Sequence, residues 1–536
     1  MRKNNLSLVP VAGSGASARI DRVATSLDDL FQPLPTLLSS GGDDRISLVS
    51  NTGLNMYGCS NAPRVQALEL SSSTASSASV RAYQRLCRAR EQLIERAAVK
   101  GLDEAFDQHI EHSRESLRIS LGLVGSDAEV VFSPSGTDSQ LHVLIIARAI
   151  LGAPLTTIVV GSDQTGSGTA FTARGRHFNR RTGTGRAVLK GAPLTTRPGE
   201  FNCVDIPFAM QAGGWRSLSE IDVCVAQAVE AEVREGRKVL LQAMHASKFG
   251  LQGPSDACLS EIASRWPSDV LVVIDACQAR IGQEKIRQYL SCGYAVLVTG
   301  SKFFMGPPFS GALLVPKCFS ELVTATPLRL NALDPYLDRS CLPFAWPSIR
   351  EQFALAPNLG QWLRWEAALE EMRLYQKLPA QFRSSVLTQL HRLIPDLIAT
   401  SKHLVPLELP ADMMQRAAAD EEFTSATIYP FLVRTAGAYA PLSWAKTLCE
   451  MLNTQSEGNG RVEVDQVERP CHIGQPVALS LSGGIKTAAP RICVGSRNLF
   501  EAWAPGPGAV DGAVQSILLD VLNVVRRLDD LAERLG

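Results

Sequence analysis

The chain has 536 residues, and 53 Lys and Arg balance 53 Asp and Glu, so its formal net charge is zero. That balance argues against a dedicated nucleic-acid or polyanion binder, which carries a basic excess. Hydrophobic residues at 45% and charged residues at 20% exclude a disordered chain and fit a folded one with a sizeable core. The N-terminal MRKNNLSLVPVAGSGASA has a basic start and a small-residue end, but Ser7, Pro10 and Gly13 interrupt its apolar stretch, so a secretion signal is not expected. The first forty residues, polar and Gly/Ser-rich, read as a loosely held arm. From Ser79 to about Leu121 apolar residues recur at helical spacing, and Gly101 splits the stretch into two helices.

A repeated alternation follows. AEVVFSP is a short strand ending in a Ser-Gly-Thr turn, SQLHVLIIARAILG a helix, and TTIVVG a second strand. KVLLQAM, DVLVVIDA and AVLVTG are further strands, each preceded by a helical pattern, and GALLVP closes the series. The long apolar tract from Val143 contains Arg148 and a Gly-Ala-Pro break, so it reads as helix then strand and not as a membrane span. Residues 172–202, rich in Gly and Arg, break the rhythm as a solvated loop or as a cover over an anionic ligand or subunit interface. After about Cys318 the alternation gives way to helices and a mixed region ending in the amphipathic AVQSILLDVLNVVRRLDDLAERL.

Strands alternating with helices predict an α/β fold with a mostly parallel sheet covered on both faces. The expected division is an arm over 1–45, a large α/β domain over 46–318 and a smaller α+β domain over 319–536. The 12 cysteines are scattered with no C-x-x-C pair, which favours reduced thiols, a cytoplasmic setting and no metal site.

Three turns at the carboxyl ends of strands carry the chemistry, since such sheets place ligands there. Ser135-Gly136-Thr137 directly precedes a helix, where exposed N–H groups and the helix dipole suit a phosphate, although Ser and Thr in that position also serve as plain N-caps. Asp275 ends a run of five apolar residues, so its carboxylate sits at the mouth of a buried strand and requires a cation or hydrogen-bond donors. Lys302 follows a Thr-Gly-Ser turn and is boxed in by Phe303, Phe304 and Met305, surroundings that lower an amine pKa and favour nucleophilicity.

Together, Asp275-Ala276-Cys277-Gln278, then Thr299-Gly300-Ser301-Lys302 leading into Gly306-Pro307 and Ser310-Gly311, resemble the fold type I pyridoxal-phosphate enzymes, in particular the class V aminotransferase and cysteine desulfurase group. The resemblance spans roughly residues 120 to 315 and reappears near Arg491. It implies that fold type I, with a sheet of seven-stranded type, applies to the large domain. It implies a Schiff base on Lys302, Asp275 at the pyridinium nitrogen, and Gln278 at the ring oxygen. Ser135, Gly136 and Thr137 would hold the phosphate, helped by Thr299 and Ser301. Ser301 stands where the group commonly has His. No aromatic residue follows the second strand, so Gln164 or Thr165 would lie nearest the ring. His245 is the other candidate for a ring contact, and a lone histidine at a strand end is also read as structural. Arg491 matches the carboxylate-binding arginine, with Arg497 as fallback, and the segment around Tyr57 would close over the substrate.

The resulting expectation is a pyridoxal-phosphate enzyme acting at Cα of an amino acid or amine, most simply an aminotransferase, as a cytoplasmic homodimer without nucleic-acid or membrane partners. One alternative is a C–S lyase or desulfurase, for which Cys341 and Cys471 are the cysteines to weigh, though neither lies in a flexible Gly/Ser-rich loop. A nucleotide-binding oxidoreductase is the alternative of another class. Gly161, Gly166 and Gly168 miss the G-x-G-x-x-G register it needs, and a non-catalytic binding protein on the same fold is the remaining possibility.

Overall fold

Short β-branched runs bounded by Gly, Ser and Pro form the strands, and the charged amphipathic runs between them form the helices that cover them. The computed structural model describes residues 27–126, 128–325, 328–414, 422–435, 437–454 and 469–535. In chain order, α1 (Leu34–Leu38) and β1 (Leu68–Leu70) precede α2 (Val80–Lys100) and α3 (Leu102–Ser120). The last two are the helices expected on either side of Gly101. Ser79 caps α2, its Oγ accepting the Ala82 N–H at 3.1 Å.

The alternating part runs β2 (Glu129–Ser133), α4 (Gly136–Leu151), β3 (Leu155–Val160), α5 (Thr169–Thr172), β4 (Phe201–Ile206), α6 (Leu218–Arg234), β5 (Lys238–Met244) and α7 (Asp256–Arg265). It continues with β6 (Val270–Asp275), α8 (Gln283–Ser291), β7 (Ala295–Thr299), β8 (Gly311–Val315) and α9 (Lys317–Ala325). The remainder is α10 (Pro347–Arg350), α11 (Leu359–Gln376), α12 (Ala380–Ala399), β9 (Leu404–Pro406), α13 (Ala411–Met414), β10 (Ile428–Thr435) and β11 (Ala438–Tyr439). It ends with α14 (Leu442–Asn453), β12 (Cys471–Leu481), β13 (Ile485–Cys493), α15 (Ser496–Ala502) and α16 (Ala509–Leu535).

The expected α/β fold is present. One sheet has seven strands in the order β2-β8-β7-β6-β5-β3-β4. Strands β3 to β7 are parallel neighbours, and β8 runs antiparallel to both β7 and β2. Successive strand residues enter opposite apolar layers. Val131, Leu240, Val273 and Leu297 join one cluster, while Val130, Leu241, Ile274 and Val296 join the other. Each such side chain contributes roughly 1.5–3 kcal/mol on burial. A strand like β6 can therefore carry a buried carboxylate at its end. Among the described residues no helix is long and apolar enough to cross a membrane.

A second sheet has the order β1-β12-β13-β10-β11, with β9 also paired to β10. It draws on segments from both sides of the expected boundary at 319. Strand β1 pairs in parallel with β12, so the N-terminal part of the chain supplies an edge of the C-terminal sheet. Three residues give too little periodicity for this to be read from sequence. The arm is corrected. Residues 1–26 lie outside the described chain, but Leu30, Leu34, Leu37 and Leu38 are buried in the core.

That segment is tied down by Arg364 of α11, which donates to the carbonyls of Leu38 (3.0 Å), Ser40 (2.6 Å), Gly41 (2.9 Å) and Phe309 (2.9 Å). Burial lowers the Arg364 pKa to about 9. Arg364→Ala leaves these buried acceptors unmatched and is expected to cost about 3 kcal/mol or more in urea unfolding; an unchanged midpoint would refute the tie.

Candidate active site

Two turns at the carboxyl end of the sheet carry the predicted pair, and both are backbone-strained. The three non-glycine residues with positive φ among the described residues are Ala279 (53°), Met305 (58°) and Phe309 (70°), all within a few residues of Asp275 or Lys302. Such strain persists where the surrounding structure over-determines the turn, and it concentrates at functional sites. The Lys302 turn is pressed flat on α11: a Cβ at Gly300 would lie 2.4 Å from the Ala368 Cβ.

From Gly300 to Pro316 every residue is buried except Lys302, which is half-buried. Phe303 and Met305 are fully enclosed, and the Phe303 ring packs on Phe304, Tyr375 and Phe423. The Lys302 Nζ donates to the Thr74 carbonyl at 2.5 Å. Burial and then Arg491 push its pKa down to about 8; Lys248 and Arg45 add to this and Cys277 opposes it. An ammonium has no lone pair to attack with. Labelling of Lys302 by an amine-directed reagent, followed by peptide mass, should therefore rise with pH through about 8 and level off above it. A rate still climbing at the ordinary lysine value of 10.5 would contradict the shift.

Asp275 is buried, and the predicted need for donors is met by amides. Gln242 Nε2 (3.2 Å) and Gln140 Nε2 (3.4 Å) reach Oδ2, and the Cys277 N–H reaches Oδ1 at 3.2 Å. Neither glutamine was evident from sequence. Among the described residues no ion pair joins Asp275 to a cation, so its charge is available to a ligand.

Ser135 and Gly136 are half-exposed in an otherwise buried stretch. Ser135 does cap α4, as its plain reading has it: Oγ accepts the Asp138 N–H at 3.3 Å and donates to Asp138 Oδ2 at 2.5 Å. Burial, with Asp43 adding, raises Asp138 to about 7 against the pull of Ser135 and Arg45, so near neutrality this helix start is only partly blocked by its own anion. A cation stands beside it. Arg45 Nη2 lies 3.3 Å from the Ser135 Oγ, forked onto Asp43 and flanked by the Phe178 and Phe309 rings. Tyr57 lies against the Phe309 ring, with centroids 6.2 Å apart, and burial raises its phenol pKa despite Arg45.

Arg491 is buried and holds no carboxylate. Its guanidinium donates to the Lys248 carbonyl (3.1 Å), the Thr74 Oγ1 (3.1 Å) and the Gln475 carbonyl (2.5 Å), while Nε is without a partner among the described residues. Burial lowers its pKa. The fallback, Arg497, is engaged by Glu371 (3.1 Å) and by the carbonyls of Ser77 and Met305. Thr74 therefore meets both Lys302 and Arg491. The signal for it was the polar run SSSTASSAS at 71–79, every residue of which is buried; buried hydroxyls in series mark a hydrogen-bonded wall.

Several expected cofactor contacts are committed elsewhere. Gln278 donates to the Ser73 carbonyl (3.0 Å) and accepts from Arg280 (2.9 Å), which fixes the Ser72–Thr74 backbone in place of a ring contact. Thr299 Oγ1 donates to the Cys277 carbonyl (2.7 Å), and Thr165 Oγ1 to the Ser162 carbonyl (3.0 Å). Ser301 is buried beside Lys302. His245 is anchored to Tyr289, with Nδ1 3.1 Å from the phenol oxygen, and its N–H donates to the Asp275 carbonyl at 3.1 Å. Gln164 Oε1 accepts from Ser247, while its Nε2 is buried without a partner among the described residues. The 172–202 loop packs on its own chain: a Cβ at Gly183 would meet Pro134 beside the Ser135 turn.

Cys341 and Cys471 are buried, bonded to Asp338 and to the Arg469 carbonyl, and burial raises both thiol pKa values. Among the described residues no His, Cys, Asp and Glu group could hold a metal ion. A separate cavity of about 560 Å³ lies between α2, α3 and α11, around the Arg85–Glu366 ion pair, and contains none of these residues.

No protein-family model matches the chain, and no curated protein matches it. Among solved structures it is similar to a cysteine desulfurase from Thermococcus onnurineus NA1, with 13% identity, a TM-score of 0.47, and 84% of this chain and 94% of that chain covered. It is similar to a phosphoserine aminotransferase from Cytophaga hutchinsonii, with 15% identity, a TM-score of 0.46, and coverages of 85% and 99%. It is also similar to a tryptophan decarboxylase from Catharanthus roseus in complex with L-tryptophan, with 14% identity, a TM-score of 0.46, and coverages of 87% and 82%.

Proposed function

We propose that the chain binds pyridoxal 5'-phosphate and acts at Cα of an amino acid, with transamination as the simplest outcome. The observation that carries this is Thr74, whose carbonyl meets the Lys302 amine and whose hydroxyl meets the Arg491 guanidinium. An amine of lowered pKa and an arginine without a carboxylate partner among the described residues meet on one residue, the two groups that the amino and carboxylate ends of an α-amino acid require.

The remaining residues fit the cofactor. Lys302 would be its covalent attachment point. Asp275, held by amides and free of any cationic partner among the described residues, would face the pyridinium nitrogen. The α4 N-terminus with Arg45 would take the phosphate, and the unpartnered Gln164 amide is a donor for the ring region. When bound, this cofactor supplies an electron-withdrawing ring that makes the substrate Cα–H more acidic.

The protein's own part follows from its side chains. Arg491 would take the carboxylate with the N–H groups it does not give to Lys248, Thr74 and Gln475, and so fix which bond at Cα faces Lys302. The Lys302 Nζ, neutral above about pH 8, would be the base that takes the Cα proton, and the ammonium so formed the acid that gives it to the carbon that retains the amino nitrogen. Thr74 holds both groups in register. The homodimer expected from the resemblance belongs to the same proposal; a particle mass of one chain in a fully active preparation contradicts it.

The test is a visible-absorption titration of cofactor-loaded protein with common amino acids, alongside product assays for keto acid, sulfide and pyruvate. The proposal requires a visible band that shifts with some amino acid and, for transamination, keto acid formed one for one with the amine transferred. Protein that stays colourless with pyridoxal phosphate refutes the cofactor, and sulfide or pyruvate release without amine transfer refutes transamination.

A further inference from the structure

We infer that the substrate carries a second anionic group on its side chain, and that Lys248, beside Arg491, receives it. This rests on the reading above, since it concerns the occupant of the same site.

Lys248 sits on the loop that leaves β5, and that loop is held firmly. The Ser247 Oγ accepts the N–H groups of Phe249 (3.2 Å) and Leu251 (3.1 Å) and donates to Gln164. The Ser247 N–H donates to the Leu251 carbonyl at 2.8 Å. The Lys248 carbonyl in turn takes one prong of Arg491 at 3.1 Å. The Lys248 backbone is thus fixed against the Arg491 guanidinium. Lys248 is half-buried; burial and then Arg491 lower its pKa to about 8, and Lys248 in turn helps to lower that of Lys302.

The anions nearby do not balance this group. Among the described residues Asp163 is the carboxylate that raises the Lys248 pKa, and its two oxygens already accept the N–H groups of Phe208 (2.8 Å) and Ala209 (3.1 Å). Among the described residues neither Lys248 nor Arg491 forms an ion pair. One substrate carboxylate satisfies Arg491, and the cofactor's phosphate belongs to the α4 end with Arg45. A cation remains at Lys248, partly withdrawn from water, and an unpaired charge in that position is costly unless the ligand pairs it. A side chain ending in a carboxylate or phosphate supplies the partner. An uncharged one leaves the lysine desolvated and unpaired, so the site discriminates by rejection as well as attraction.

The experiment is calorimetric binding of aspartate, glutamate and phosphoserine, each against its neutral counterpart asparagine, glutamine or serine, to cofactor-loaded protein with no keto acid present. At least one acidic member should bind about tenfold or more tighter than its neutral counterpart, the size of one charge-assisted hydrogen bond. Lys248→Gln should erase that ratio, and Lys248→Arg should keep it. The carboxylate and phosphate arms separate the two sources of charge. Equal binding of acidic and neutral members by the wild type, or an unchanged ratio in Lys248→Gln, overturns this inference alone. A protein that takes up no pyridoxal phosphate overturns the proposed function, and this inference with it.

Discussion

Replacing Lys302 by alanine is expected to lower turnover by a factor on the order of 10⁴ or more while leaving the fold intact. The side chain makes one hydrogen bond, to the Thr74 carbonyl, and its charge is disfavoured by burial and by Arg491. Its removal therefore costs little stability and relieves some electrostatic strain. The chemistry has no substitute of the same placing: the backbone of Lys248, another lysine that acts on Lys302, is tied to Arg491. Steady-state rates together with a thermal melt separate the two effects. Retained turnover in a folded variant would mean that another group attacks and moves the proton.

Arg491→Met should raise the barrier for an α-amino acid by about 2–5 kcal/mol, or roughly 30- to 5,000-fold in kcat/KM. The wild-type guanidinium is buried and, among the described residues, partnered only by carbonyls and a hydroxyl. Its strongest charge-assisted bonds therefore form when a carboxylate arrives. An amine with the same side chain but no carboxylate provides the internal control. Loss confined to the carboxylated substrate assigns Arg491 to carboxylate binding; equal loss with both would show that it only braces Thr74, Lys248 and Gln475.

The reactive centre was legible because its parts are local in sequence. Asp275 and Lys302 each close an apolar strand run and open a small-residue turn, and a strand end can be read from six or seven residues. Thr74 and Arg45 were not legible, because their partners lie 228 and 90 residues away, and a polar run such as SSSTASSAS looks like a linker until something buries it. Strand β4 was passed over for a physical reason as well. FNCVDI is an edge strand with only Ile206 buried, so it lacks the apolar run that marked its neighbours. The arm was misjudged because the average composition of the first forty residues hid four buried leucines, held by one arginine from α11. Gln278 and Arg497 show the limit of reading roles from residue type. Both have the donors their expected roles need, and the fold spends those donors on the Ser72–Ser77 backbone.

The most direct test of the central claim is to load the protein with pyridoxal phosphate, reduce it with borohydride, digest it and locate the modified lysine by mass spectrometry. The expected product carries the pyridoxyl phosphate mass on the peptide containing Lys302 and on no other. A label on Lys248 or a surface lysine, or no label at all, would contradict it.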